Sequence, residues 1–252
     1  MVMVLNNRAT IDVEIMTIRA IDLFCGAGGS STGAKNAGVE IVAGFDMWRP
    51  AAYTYKANFP KARVFDDDIR TLEPSDIRRE IGEIDMILAS PECTNHSVAK
   101  GSAERDEESR MTAFQVLRFA KEFRPKWIVL ENVTEMAQWD KHIELRHQLE
   151  KQGYKLYEQV LNAQQFLVPQ SRKRLFLICS HSSVFDIEPP SPDKFVPVST
   201  ILDRSGKYRF SDLRKLGRAN ATLARADRAM KALGTDQPFL IVYYGSDGSG
   251  GW

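Results

Sequence analysis

From Ile18 to Cys179 short β-branched or apolar runs alternate with longer segments of helical period. A chain so patterned buries its apolar faces as a sheet with helices laid on it. Seven strands are expected, at Arg19 to Phe24, Glu40 to Phe45, Arg63 to Phe65, Ile84 to Ala89, Lys126 to Glu131, Lys155 to Leu161 and Arg174 to Cys179. Between the fourth and fifth, Phe114, Leu117, Ala120 and Phe123 line one face of a helix over Met111 to Phe123. Between the fifth and sixth, Lys141 to Gln152 reads as a helix closed by Gly153. Only about a dozen residues with no helical pattern separate the last two strands, which predicts an antiparallel pair at one edge of a mostly parallel sheet. At 252 residues and 43% hydrophobic, the chain can bury one full core and a small second lobe.

After Cys179 the character changes. Pro189, Pro190, Pro192 and Pro197 lie close together and mark a linker, with a domain boundary near Ile187 to Ser199. The expected organisation is an extension over residues 1–17, an α/β domain over 18–185 and a second region over 186–252. Within that region Ile201 to Thr235 carries nine Lys or Arg and three Asp, a local charge of +6 in a chain of formal net charge +1. Such a segment is either a solvated helical face or a phosphate-binding surface. No apolar run approaches the ~20 residues that span a bilayer and the start lacks a secretory pattern, so a cytoplasmic protein is expected. Cys25, Cys93 and Cys179 form no close pair, and His96, His142, His147 and His181 show no ligand spacing, so neither disulfides nor a metal is expected.

The first strand runs into Asp22-Leu23-Phe24-Cys25-Gly26-Ala27-Gly28-Gly29, a turn whose glycines let the backbone bend sharply and let a ligand approach the main chain. It falls at the carboxyl edge of a parallel sheet, where such folds bind nucleotides. The second strand ends in Phe45-Asp46, and Asp46 follows Gly29 by 17 residues, near the ~20 at which an acidic side chain meets ribose hydroxyls. Asp68 and Ile69 end the third strand and suit an adenine, the carboxylate taking the exocyclic amine and Ile69 covering a ring face. A nicotinamide dehydrogenase would share these features. The third glycine of the dinucleotide fingerprint is missing, however, with Ser31 in its place, and nothing downstream suits hydride chemistry.

The fourth strand opens into Ser90-Pro91-Glu92-Cys93, the fifth ends in Glu131-Asn132-Val133, and Gln170-Ser171-Arg172-Lys173-Arg174 leads into the seventh. With Asp22 to Gly33 these resemble successive motifs of the cytosine-C5 DNA methyltransferases, in that family's order and spacing, over residues 18–180. The resemblance implies a Rossmann-like class I methyltransferase fold followed by the start of a small recognition domain. It also implies S-adenosylmethionine as methyl donor, S-adenosylhomocysteine as product and duplex DNA as partner. Asp22, Phe24, Gly26, Gly28, Gly29, Asp46, Met47, Asp68, Ile69 and Pro91 would then bind the donor, and Cys93, Glu131, Arg172 and Arg174 would be catalytic.

The chemistry explains this convergence. Carbon 5 of cytosine is a poor nucleophile, so a thiolate, here Cys93, adds at carbon 6 and makes carbon 5 enamine-like. Glu131 can donate to N3 while accepting from the 4-amino group. Arg174 would contact the cytosine O2, and Arg172 would support the charged intermediate or the loop. A base hidden in a duplex must be flipped out, and the +6 segment lies where relatives place the recognition region that helps offset that cost.

Two positions depart from the family pattern. Pro normally stands directly before the nucleophile, whereas here Glu92 does, with Pro91 displaced by one; a carboxylate beside a thiol raises its pKa and predicts slow turnover. Leu167 stands where relatives carry Gly. Relatives also continue to a final Asn-containing motif with no equivalent here, so the expectation is a chain cut short at its C-terminus, a split enzyme completed by a second polypeptide, or a remnant. The rival functions are methylation of tRNA and silent DNA binding.

Overall fold

Seven strands carry the apolar runs: β1 (Arg19–Leu23), β2 (Glu40–Phe45), β3 (Arg63–Phe65), β4 (Met86–Ala89), β5 (Trp127–Asn132), β6 (Lys155–Asn162) and β7 (Lys173–Ser180). The structure is a computed structural model that describes residues 17–92, 111–190, 194–203 and 211–235. The strands form one sheet in the order β3-β2-β1-β4-β5-β7-β6. β1 pairs in parallel with β2 and β4, β2 with β3, and β4 with β5, whereas β7 runs antiparallel to β5 and β6 takes the edge. The expected α/β sheet is thus observed. Central parallel strands are covered on both faces, which is why β1 and β4 read as nearly unbroken apolar runs rather than as alternation.

Helices fill the crossovers. α1 (Gly29–Asn36) follows the glycine turn; α2 (Arg49–Asn58) and α3 (Pro74–Ile81) each carry a proline in the first turn, where its missing N–H costs nothing. The apolar pattern had set no bounds for these two. The helix expected from Met111 begins as a 3-10 turn over Met111–Phe114 and becomes α4 over Gln115–Phe123, ending where Arg124 adopts a left-handed conformation. α5 (His142–Lys151) is followed by Gly153 at φ 93°, a stop that glycine makes without strain. Among the described residues no helix is long and apolar enough to cross a membrane.

Backbone proximity divides the described chain into two units, residues 17–92 with 111–159 and 175–186, and 160–174 with 187–190, 194–203 and 211–235. The first holds the core, in which Phe45 stacks on Phe65 at 4.7 Å and meets Phe119 edge-on at 5.4 Å. The second contains α6 (Asn220–Leu233), a basic helix that buries Thr222, Ala226 and Ala229 and ends at Gly234. Leu167, also in the second unit, sits at φ 63° and ψ 21°. The left-handed region favours Gly, the residue that the family resemblance puts at this position.

Candidate active site

The glycine turn is held from beneath and from the side. Gly26 and Gly28 adopt positive φ, and a Cβ on Gly28 would come within 2.4 Å of the Phe59 ring, so only glycine fits there. Asp46 Oδ2 accepts from the Gly26 amide at 2.9 Å and its Oδ1 from the Trp48 amide at 2.9 Å, which ties the turn to the end of β2. Asn58 Nδ2 donates to the Ala27 carbonyl at 2.8 Å, a further tie from the end of α2. Phe24, at φ 61°, is an L-residue in left-handed conformation inside this turn, the sort of local strain that persists where surroundings fix it.

Beneath the turn lies a buried polar chain. Asp22 is fully buried, its Oδ2 accepts from Ser31 Oγ at 2.7 Å, and Ser31 Oγ lies 2.7 Å from the Tyr55 hydroxyl. Burial pushes the Asp22 carboxyl up to about 7, against the lowering effect of the Ser31 hydrogen bonds. The Cys25 thiol beside it is raised by burial and by Asp22 and Asp46. Cys179 is likewise buried and pushed up to about 12, so neither of these thiols is poised as a nucleophile.

A cleft of about 300 Å³ opens beside the turn, and Phe24, Asp46, Met47, Asp68 and Ile69 all line it. These five were expected to act together and are brought together. Asp22, Gly26, Gly28, Gly29 and Pro91 do not line it; Asp22 lies buried below the turn and the glycines shape its backbone. The cleft adds Asp67, Arg70 and Glu92, so its wall carries four carboxylates and one guanidinium. Arg70 grips Asp68 through Nε and Nη2, the latter at 2.6 Å, and holds that carboxyl below the usual range. Apolar walls with surplus negative charge suit an adenosyl group that bears a sulfonium. Among the described residues, no cluster of His, Cys, Asp or Glu is arranged to hold a metal.

The carboxyl ends of β4 and β5 lie side by side, Ala89 opposite Leu130, so the segment leaving β4 at Ser90 runs along Glu131 and Asn132. Asn132, almost fully buried, donates through Nδ2 to the Pro91 carbonyl at 3.1 Å and accepts from the Val133 amide at 2.8 Å. The loop that precedes position 93 is thereby fixed to the strand that bears Glu131, which is half-buried. Cys93 itself lies outside the described residues. Arg172 and Arg174 belong to the second unit; the Arg172 amide donates to Asn162 Oδ1 at 2.9 Å, and Arg174 Nη1 to the Lys173 carbonyl at 2.7 Å.

Sequence reading passed over Tyr55, Asn58, Phe59 and Arg70, and the roles of Ser31 and Asn132. Tyr55, Asn58 and Phe59 stand three and four positions apart, and that spacing alone puts them on one side of a helix.

A seven-stranded sheet in this order, with a glycine turn after β1 and an acidic residue after β2, defines a Rossmann-like class I methyltransferase fold. The family model of the C-5 cytosine-specific DNA methylases matches residues 18–212. Curated relatives include the Type II methyltransferase M.DdeI of Desulfomicrobium norvegicum, 36% identical over 63% of this chain and 39% of its own. M.AgeI of Thalassovita gelatinovora is 33% identical over 69% of this chain and 42% of its own, and M.HgiDI of Herpetosiphon aurantiacus 37% over 68% and 55%. Among solved structures, a DNA modification methyltransferase encoded within an E. coli prophage superposes with a TM-score of 0.60 at 25% identity, covering 72% of this chain and 53% of that one. The S. pombe Dnmt2 methyltransferase shares the fold at a TM-score of 0.55 and 23% identity, over 68% and 51%. The chain belongs to the C-5 cytosine-specific DNA methylase family. It spans about half the length of the curated relatives it matches.

Proposed function

We propose that this chain carries the catalytic unit of a DNA (cytosine-5-)-methyltransferase of a restriction-modification system, acting in the cytoplasm on duplex DNA. Residues 18–185 are read as the catalytic domain and 186–252 as a target-recognition region. The observation that carries this is the cleft at the carboxyl edge of the sheet, with Phe24, Asp46, Met47, Asp68 and Ile69 on its wall, in a chain whose β4 and β5 ends run together. When bound there, S-adenosylmethionine supplies an electrophilic methyl group and is left as S-adenosylhomocysteine. Asp46 would meet the ribose and Asp68 the adenine amine, with Phe24 and Ile69 against the ring faces.

In this reading the Cys93 thiolate adds to carbon 6 of a flipped cytosine, a bond that makes carbon 5 nucleophilic. Glu131 donates a proton to N3 as negative charge grows on the ring, and Arg174 and Arg172 stabilise the charge building at O2. After methylation the carbon-5 proton leaves to a base, and the electron pair returns to expel the thiolate. The exposed cations of α6 supply contacts to phosphates that offset the few kcal/mol of unstacking.

Duplex DNA bearing 5-fluorocytosine tests this, because fluorine cannot leave as a proton and the covalent adduct persists. Incubated with the donor, the chain is expected to give a band stable to denaturing gel electrophoresis, and Cys93→Ser to give none. An adduct formed on tRNA and absent on duplex DNA would reassign the substrate, and methyl transfer undiminished in Cys93→Ser would overturn the mechanism.

A further inference from the structure

The hydroxyl chain under the glycine turn is more elaborate than a turn needs. Tyr55 is fully buried on α2, and its phenol ring fills the space where a Cβ on Gly44 would lie, 2.4 Å from two ring atoms. Gly44 is the β2 partner of Asp22, so the absence of a side chain there admits the phenol beside the carboxylate. Ser31, in the first turn of α1, stands between them with 2.7 Å contacts on either side. The chain has two arrangements. With Asp22 ionised, Tyr55 donates to Ser31 and Ser31 donates to Asp22 Oδ2. With Asp22 protonated at that oxygen the sequence of donors reverses, and the Tyr55 proton is left to find an acceptor elsewhere.

The other oxygen, Asp22 Oδ1, is buried with no hydrogen-bond partner among the described residues. An ionised carboxylate in that state is costly unless positive charge is brought near. The titratable groups around it are Cys25 in the turn, Asp46 after β2 and Tyr55 on α2, while β4 sets Leu88 beside it. None of these brings positive charge.

We propose that Tyr55 is a positioning residue that acts through Ser31 to hold Asp22 in its ionised form, so that the turn presents a buried negative charge to a cationic ligand docking above it. The inference rests on the cofactor reading given above, and it adds a chemical preference: the sulfonium donor gains from this charge more than its neutral thioether product does. Burial keeps part of Asp22 protonated near neutrality, so docking of the donor releases a proton and tightens as pH rises through about 6 to 8.

The test uses the whole chain with Tyr55→Phe, which keeps the ring and removes the hydroxyl, and Ser31→Ala, which removes the direct donor. Carbon-13 carboxylate NMR of the free protein reads Asp22 without any ligand. Its midpoint is expected to rise by about half a pH unit in Tyr55→Phe and by more in Ser31→Ala. Calorimetry with S-adenosylmethionine and S-adenosylhomocysteine between pH 6 and 9, in buffers of different ionisation enthalpy, reads the ligand. Tyr55→Phe is expected to weaken the donor about twofold at pH 7, to move its pH midpoint upward and to affect the product less. A purely packing role for Tyr55 would leave both midpoints at their wild-type values, and that result overturns the proposal. Free-chain shifts as expected, in a wild type that binds neither ligand at any pH, support the charge-setting chain and overturn the cofactor reading alone.

Discussion

Around the glycine turn, Asp46 ties Gly26, Asn58 ties Ala27, and Asp22, Ser31 and Tyr55 are joined in a chain sealed from water. In the basic segment of the second unit, Arg228 and Lys231 stand exposed on α6, and the 2.5 Å pair between Arg214 and Asp227 is itself more than half exposed on its arginine side. The first region is built by burial, so each group there depends on its neighbours and small changes have steep effects. The second is built from charge in water, where each cation acts nearly alone and salt weakens all of them together.

The sharpest way to break this contrast is Asp22→Asn. Because the folded carboxyl titrates at about 7, well above its ordinary value of 3.8, the folded state holds a proton that the unfolded chain has lost. Free-chain stability therefore falls as pH rises from about 4 to 7, and the cost is fully present above 7. Asn at this position is expected to remove that slope and to raise stability at pH 8 by several kcal/mol, while donor binding weakens. Melting curves of both proteins from pH 5 to 8 decide it, and parallel curves would show that Asp22 is not the buried charge described.

Next in size is Gly28→Ala. Its Cβ would press into Phe59, itself packed against Tyr55 at a centroid distance of 4.8 Å, and the positive φ adds strain. A loss of about 2–3 kcal/mol is expected, read as a fall of roughly 5–10 °C in Tm. A melting temperature unchanged within a degree would mean that the turn is far looser than described.

In the basic segment the response should be graded. Arg228→Ala with Lys231→Ala is expected to weaken binding to duplex DNA of any sequence by about tenfold and to lower the slope of log K against log salt by about 2. Stability should change by less than ~0.5 kcal/mol, since both side chains are exposed. An unaltered salt slope, measured by fluorescence anisotropy, would assign these cations to solvent.

The smallest effect sharpens the comparison within the second unit. Leu167→Gly relieves a left-handed leucine that is 43% exposed and is expected to stabilise the chain by about 0.5–1 kcal/mol, the backbone gain offset in part by greater freedom of the unfolded state. Chemical denaturation midpoints would show it, and a destabilised variant would mean that the leucine side chain contributes packing worth more than the strain.

Much of this molecule was legible in its order of residues. Strand positions came within one or two residues because short β-branched or apolar runs bounded by turn residues are too brief to be helices and must be buried as strands, and the edge pair followed from a connection too short for a crossover helix. Asp46, Asp68 and Ile69 could be named because each follows a parallel strand at its carboxyl end, where topology gathers loops into one cleft, while Phe24 and Met47 were named only through the family resemblance. The cations of the second unit could be counted, since charge needs no partner to be recognised. Only the tertiary structure decided that Gly44 is small to admit the Tyr55 phenol, that Asn132 anchors the Pro91 carbonyl, and that Arg70 closes on Asp68. Such contacts join residues far apart in the chain through hydrogen bonds and close packing, and their geometry exists only once the sheet has brought the strand ends together.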